Sequence, residues 1–243
     1  MSEEFYLSVI IPAYNEENRL PRTLREIDGY LRNQSYEYEI LVVNDGSKDK
    51  TAQVVQEHSL VIKNLRLIDN KENKGKGFVT RQGMLEAKGE HRLFTDADNS
   101  TSIDQVEKVL PYFKQGYDVV IGSRRIKGAT LDPPQPFHRQ ILGGIFGFLT
   151  DIFTGSWGIK DTQCGFKCFS KMAAERIFPK CKIDRFAFDP EILIIAKKLG
   201  YKIKEVPVHW KNDLESKVKF SSMIKMGSDL LRIRWNLIKR IYG

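Results

Sequence analysis

The chain lacks any apolar stretch long enough to span a bilayer. Its longest uncharged apolar run, residues 141–149, falls far short of the roughly 20 residues that a transmembrane helix needs. The opening Met1-Ser2-Glu3-Glu4 is acidic and starts no hydrophobic signal segment, so a cytosolic location is expected. Cysteine is scarce: Cys164, Cys168 and Cys181 are odd in number and match neither a disulfide framework nor a zinc pattern, which leaves free thiols in a reducing compartment. There is no low-complexity segment and no internal repeat, which excludes a solenoid or a linker-joined array. Acids are in deficit. The 243 residues carry a net charge of +8 with a pI near 9.3, which favours a polyanionic partner. Seven bases against one acid between Lys217 and Gly243 place six of the eight excess charges in that stretch. No groove-reading or base-stacking module accompanies them, so nucleic acid is not an expected partner.

What the chain does contain is alternation. Residues 7–12 form a short β-rich run, and residues 19–32 place Leu20, Leu24, Ile27 and Leu31 at helical spacing with Pro21 in a first turn. Strands over 38–43, 65–68, 92–95 and 119–122 then alternate with helices over 51–58, 78–87 and 103–113. This order predicts an α/β fold, a Rossmann-like, mostly parallel sheet with helices on both faces. Ligands of such sheets bind beyond the carboxyl ends of the strands, which puts residues 12–16, 44–47 and 96–98 along one rim.

After Gly122 the texture changes. Ser123-Arg124-Arg125 leads through a proline-rich turn to residues 137–153, basic at the start and bulky and apolar beyond; a polar turn at 161–167 feeds a short strand, and a helix over 190–199 precedes a strand over 202–208. In the last segment Met223, Met226, Leu230, Ile233, Leu237 and Ile241 recur at steps of three and four, opposite Lys225, Arg232 and Lys239. Such a helix suits either an anionic bilayer or a core-packed position with a solvated basic face. The expected division is a catalytic domain over 1–212 and a basic amphipathic segment over 213–243.

The sharpest chemical signal is Asp96-Ala97-Asp98 at the end of the strand over 92–95. On extended backbone, carboxylates at i and i+2 point to one side. Two such charges repel by about 4 kcal/mol at 4 Å and an effective dielectric near 20, so ionised together they call for a cation. Mg²⁺ or Mn²⁺, held by one or two carboxylates, usually completes its shell with water and phosphate oxygens.

The motifs Pro12-Ala13-Tyr14-Asn15-Glu16, Asn44-Asp45-Gly46-Ser47, Asn73-Lys74-Gly75-Lys76-Gly77 and Asp96-Ala97-Asp98 resemble those of the inverting family 2 glycosyltransferases of the GT-A fold. Gly122-Ser123-Arg124, the run from Asp161 to Lys167, Arg185-Phe186-Ala187-Phe188-Asp189 and Glu205-Val206-Pro207-Val208 are similar to the polyprenyl-phosphate branch, most closely the dolichyl-phosphate β-glucosyltransferases. The resemblance implies a nucleotide-sugar donor, UDP-linked more than GDP-linked, and a polyprenyl or dolichyl phosphate acceptor. It implies that Pro12, Ala13, Tyr14, Glu16, Asp45, Lys76 and Asp96 line the nucleotide-sugar pocket and that Asp96 and Asp98 hold the metal. Backbone amides at Gly75 and Gly77 would help to hold the diphosphate. Arg124, Arg139 and Lys217 would grip the acceptor phosphate, and Asp98, Arg124 and Asp161 would serve catalysis. It further implies a peripheral enzyme on the cytosolic side of a membrane, attached through the segments 137–153 and 220–241.

The chemistry can be argued independently. A phosphate monoester is mostly dianionic at neutral pH and attacks without a general base, whereas a sugar hydroxyl needs one. Asp161 is therefore the base if the acceptor is a hydroxyl, in polysaccharide or glycolipid synthesis. With a phosphate acceptor it orients the sugar or a neighbouring cation.

Overall fold

The computed structural model describes residues 5–133, 137–211 and 220–243, and within these the backbone only for 137–142 and 220–224. In chain order the elements are β1 (Leu7–Ala13), α1 (Leu20–Leu31), β2 (Tyr38–Asp45), α2 (Thr51–Ser59), β3 (Leu65–Asn70), α3 (Lys76–Glu86) and β4 (His91–Thr95). A 3-10 turn (Ile103–Lys108), α4 (Leu110–Lys114), β5 (Val119–Ser123), β6 (Thr130–Asp132), α5 (Phe137–Thr154), β7 (Phe166–Ser170) and α6 (Lys171–Ile177) follow. The chain continues through a second 3-10 turn (Phe178–Lys180), α7 (Phe188–Lys198), β8 (Ile203–Pro207), β9 (His209–Lys211) and α8 (Phe220–Ile238).

Seven strands form one sheet in the order β3-β2-β1-β4-β7-β5-β8, parallel except for β7, while β6 and β9 pair separately. Because successive strand residues point to opposite faces, β1 feeds two cores. Val9 and Ile11 join Leu20, Leu24, Ile27 and Leu31 of α1 on one face. Ile10 joins Val79 of α3 and Ile192 of α7 on the other. This is the layered arrangement that the alternation predicts.

Two departures have physical causes. The helix expected over 103–113 is a 3-10 turn followed by a short α4, since Pro111 cannot donate within a helix and is placed in the first turn of α4 instead. The strand after Gly165 enters the middle of the sheet antiparallel, between β4 and β5, with Thr95 opposite Phe166 and Val119 opposite Phe169. An antiparallel strand begins where its parallel neighbours end. The loop before β7 is thereby brought to the rim where β4 delivers Asp96.

The boundary expected at 212/213 lies outside the described residues. Beyond it, Leu230 and Ile233 of α8 and the following Tyr242 pack into the cluster that contains Phe94 and Ile192, so this segment shares the core of the domain. The three cysteines are free and buried. Among the described residues no helix is long and apolar enough to cross a membrane.

Candidate active site

The ends of β1, β2 and β4 lie side by side, with Ala13 opposite Asn44 and Ile10 opposite Phe94. Thr23 of α1 fastens the turn after β4 by donating to the Ala97 carbonyl at 2.7 Å. Asp98 accepts the Ser100 backbone N–H at 2.9 Å. Burial raises its pKa, and the charge of Asp96 raises it further. Such a partly buried pair of hard oxygen ligands fits Mg²⁺ or Mn²⁺ completed by phosphate and water. Among the described residues no group of three or more His, Cys, Asp or Glu side chains is assembled for a metal, so the protein's own ligands here are this pair of carboxylates.

Lys76, the first residue of α3, reaches across to Asp96 at 2.5 Å. Burial opposes its charge, but Asp96, Asp189 and Asp98 outweigh that and hold its pKa above the ordinary lysine value. The Lys76 ammonium is thus a fixed cation beside the carboxylate pair. Gly165 explains how these groups come so close: a Cβ there would lie 2.1 Å from an Asp96 carboxylate oxygen.

The expected nucleotide residues take distinct positions. Tyr14 stands exposed just beyond β1. Pro12 and Ala13 are buried within β1, so they can offer a ligand backbone rather than side chain. Glu16 is also buried; its carboxylate forks with Arg19 at 2.7 Å, and its backbone N–H donates to Thr51. Asp45 accepts the N–H groups of Lys74 and Gly75 at 2.7 and 2.9 Å. This corrects one expectation: the Gly75 amide is committed to Asp45 and is not available to a diphosphate. Gly75 is required for another reason, a φ of +106° pressed against the Asp184 carbonyl. Asn44 donates to Asp69 on β3 and accepts from Ser47 in the turn.

Arg124 follows β5 and is held on three sides. Asp161 accepts from its Nε and Nη2 at 2.8 and 2.9 Å and from its backbone N–H at 2.9 Å. Trp210 lies against its guanidinium, 5.5 Å from ring centre to Cζ. Burial alone would raise the Asp161 pKa, but Arg124 overrides it and holds the carboxyl at about 2. Arg139 lies in the first turn of α5 with its side chain outside the described residues, and Lys217 lies outside them altogether.

Sequence reasoning missed Lys167 and Asp189 as a unit. Lys167, wholly buried, donates to the Cys164 carbonyl at 2.5 Å and to the Asp189 carboxylate. Both residues occur in motifs quoted above, but their meeting depends on β7 running antiparallel beside β4, opposite the start of α7. Another feature not foreseen is a cavity of about 500 Å³ between α5 and the loop over 158–163. Its lining includes Arg125, Gly147, Phe148, Asp151, Lys160 and Asp161.

The profile described as Glycosyl transferase family 2 matches residues 8–178, which contain the strands that carry this rim. The chain belongs to glycosyl transferase family 2. Within this family it is 42% identical over 95% of its length to a dolichyl-phosphate beta-glucosyltransferase of Trichomonas vaginalis, covering 73% of that protein. It is 38% identical over 94% of its length to the human dolichyl-phosphate beta-glucosyltransferase, covering 74% of it. Among solved structures, glucosyl-3-phosphoglycerate synthase from Mycobacterium tuberculosis, in complex with Mn²⁺, UDP and glucosyl-3-phosphoglycerate, matches with a TM-score of 0.67 at 16% identity. That match covers 94% of this chain and 78% of the other, and it shows a common GT-A fold. As a family 2 member, the protein is a glycosyltransferase.

Proposed function

We propose that the protein transfers glucose from UDP-glucose to a polyprenyl phosphate of the dolichyl type, with inversion and with a divalent cation. The observation that carries this reading is the state of Asp161. Locked in a bidentate pair with Arg124 and held at a pKa of about 2, it is a poor proton acceptor. A hydroxyl acceptor would need that base; a phosphate dianion does not. The relatives named as dolichyl-phosphate beta-glucosyltransferases support the same acceptor and sugar.

Asp96 and Asp98 would hold a divalent cation, which would supply positive charge for a departing nucleoside diphosphate. Lys76 adds a second fixed charge on the same side, which is worth most in a site that needs no rearrangement during reaction. Arg124, set by Asp161 and Trp210, has further donors for the acceptor phosphate and holds it for attack. The phosphate oxygen bonds to the anomeric carbon as the bond to the diphosphate breaks on the opposite face, which inverts that centre without an enzyme nucleophile.

The neighbouring helices supply a reason to work at a membrane. α5 and α8 pack together and leave Ile145, Phe148 and Ile152, with Trp235, Ile238 and Ile241, exposed. Lys225, Arg232, Arg234, Lys239 and Arg240 are exposed alongside them on α8 and its tail. Apolar side chains within a basic surround complement an anionic bilayer. Peripheral attachment at the cytosolic face brings lipid phosphate and soluble donor together.

Product analysis tests the function. Labelled UDP-glucose, UDP-galactose and GDP-mannose are incubated with a short polyprenyl phosphate and Mg²⁺ or Mn²⁺. Glucosyl lipid from UDP-glucose is expected; transfer only to a sugar hydroxyl would overturn the reading.

A further inference from the structure

Residues 181–187 form a strap between the second 3-10 turn and α7, and the turn that presents Lys76 rests on it. A Cβ at Gly75 would lie 2.4 Å from the Asp184 carbonyl oxygen, and one at Gly77 would lie 2.6 Å from that of Ile183. The Phe78 backbone N–H donates to the Asp184 carbonyl at 3.1 Å. Arg81 donates to the Cys181 carbonyl at 3.1 Å and to the Asp184 carboxylate at 2.8 Å. Backbone lies on backbone here, and close-packed groups transmit displacement, so the turn follows the strap.

The strap is itself held through α8 and the residues after it. Glu191, fully buried, accepts the backbone N–H groups of Lys182 and Ile183 at 2.9 and 3.0 Å. The Tyr242 hydroxyl donates to the same carboxylate at 2.7 Å, and the Asn236 amide donates to Tyr242 at 3.0 Å. Further along, Arg185 forks onto Asp229 at 2.6 and 3.1 Å. Asp229 is 2% exposed and Tyr242 is fully covered. Apolar groups of similar volume would generally serve stability as well as buried polar groups such as Glu191, Asp229 and Tyr242 do. What the polar bonds add is a defined position for the strap.

We propose that Asp229 and Tyr242 are positioning residues of the donor site. Through the strap they fix the turn that carries Lys76 beside Asp96, and thereby set the affinity for a nucleoside diphosphate that neither of them touches. The inference rests on the reading that this rim receives the diphosphate of a nucleotide sugar.

The test titrates UDP with MgCl₂ into the full chain by calorimetry, comparing the parent with Asp229→Asn, Tyr242→Phe and Leu230→Ala. Leu230→Ala removes a buried apolar side chain of the same helix and none of the hydrogen bonds to the strap, and it reports what loss of stability alone does. Asp229→Asn and Tyr242→Phe are expected to raise the Kd for UDP by about two- to thirtyfold. Donor KM should follow while acceptor KM holds, and Leu230→Ala should lower Tm and leave Kd near the parent value. Combining Arg185→Asp with Asp229→Arg should recover part of the affinity. An unchanged Kd in both bonded variants, with Tm lowered as in the control, overturns the proposal. If Asp229→Asn does not fold, Tyr242→Phe, which loses one hydroxyl, decides. A parent protein that binds no UDP overturns the reading of the rim and this proposal with it.

Discussion

Lys76 Nζ and Asp96 Oδ1 stand 2.5 Å apart, so the start of α3 and the end of β4 are joined by one ion pair at the centre of the rim. An ammonium and a divalent cation at one carboxylate compete until a diphosphate arrives to share both. Lys76→Met should therefore strengthen Mn²⁺ binding to the nucleotide-free protein, read by electron paramagnetic resonance, while lowering kcat by about a hundredfold or more. Weaker Mn²⁺ binding in that variant would contradict the arrangement.

Asp98 is held by Ser100, through its backbone N–H at 2.9 Å and through its side chain, whereas Asp96 pairs with the Lys76 ammonium. Asp98→Asn keeps the shape and removes the charge. Metal-dependent transfer should fall by at least about a hundredfold, and Mn²⁺ binding should weaken in parallel. Retained metal affinity would place the cation elsewhere.

The Asp161 pKa leads to a prediction about pH. A carboxyl held at about 2 when folded and near 3.9 when unfolded contributes about 2–3 kcal/mol of stability above about pH 5, lost as pH falls through 2. Urea unfolding of Asp161→Asn should show that deficit at pH 5 and a shrinking one below pH 4. In the parent, kcat/KM for the acceptor should rise with pH through about 6, the second ionisation of a phosphate monoester. A limb that moved with the enzyme variant instead of the acceptor would restore Asp161 as a base.

Lys167 and Asp189 form a buried pair whose members depend on each other. Lys167→Met alone strands a carboxylate in the core and should cost about 3–5 kcal/mol in urea unfolding. Adding Asp189→Leu should return most of that stability.

The exposed side of α5 and α8 is testable on vesicles. Phe148→Ser, Trp235→Ser and Ile238→Ser should each weaken partition onto anionic vesicles by about tenfold, from the apolar burial lost. Added salt should weaken binding in all of them, and turnover of a detergent-soluble short-chain acceptor should change little. Partition unaffected by all three would remove this surface from the membrane contact.

Much of the site could be read from the order of elements. Alternation put the turns after β1, β2 and β4 on one rim, because parallel strands all end on the same side, and that rim includes Asp96 and Asp98 at the end of β4.

What composition and periodicity left open was pairing. Whether Asp161 is a base or a brace depends on Arg124, 37 residues away, closing onto it. Whether Gly75 offers its amide depends on Asp45, 30 residues away. Lys167 meets Asp189 only because β7 turns against its neighbours, and strand direction is a property of the whole sheet. Side-chain period and local motif were enough to read the family, the parallel core and the acidic rim. The tertiary structure alone decided which charges neutralise which, because electrostatic partnership depends on distance in space and on burial, and neither is written in the order of residues.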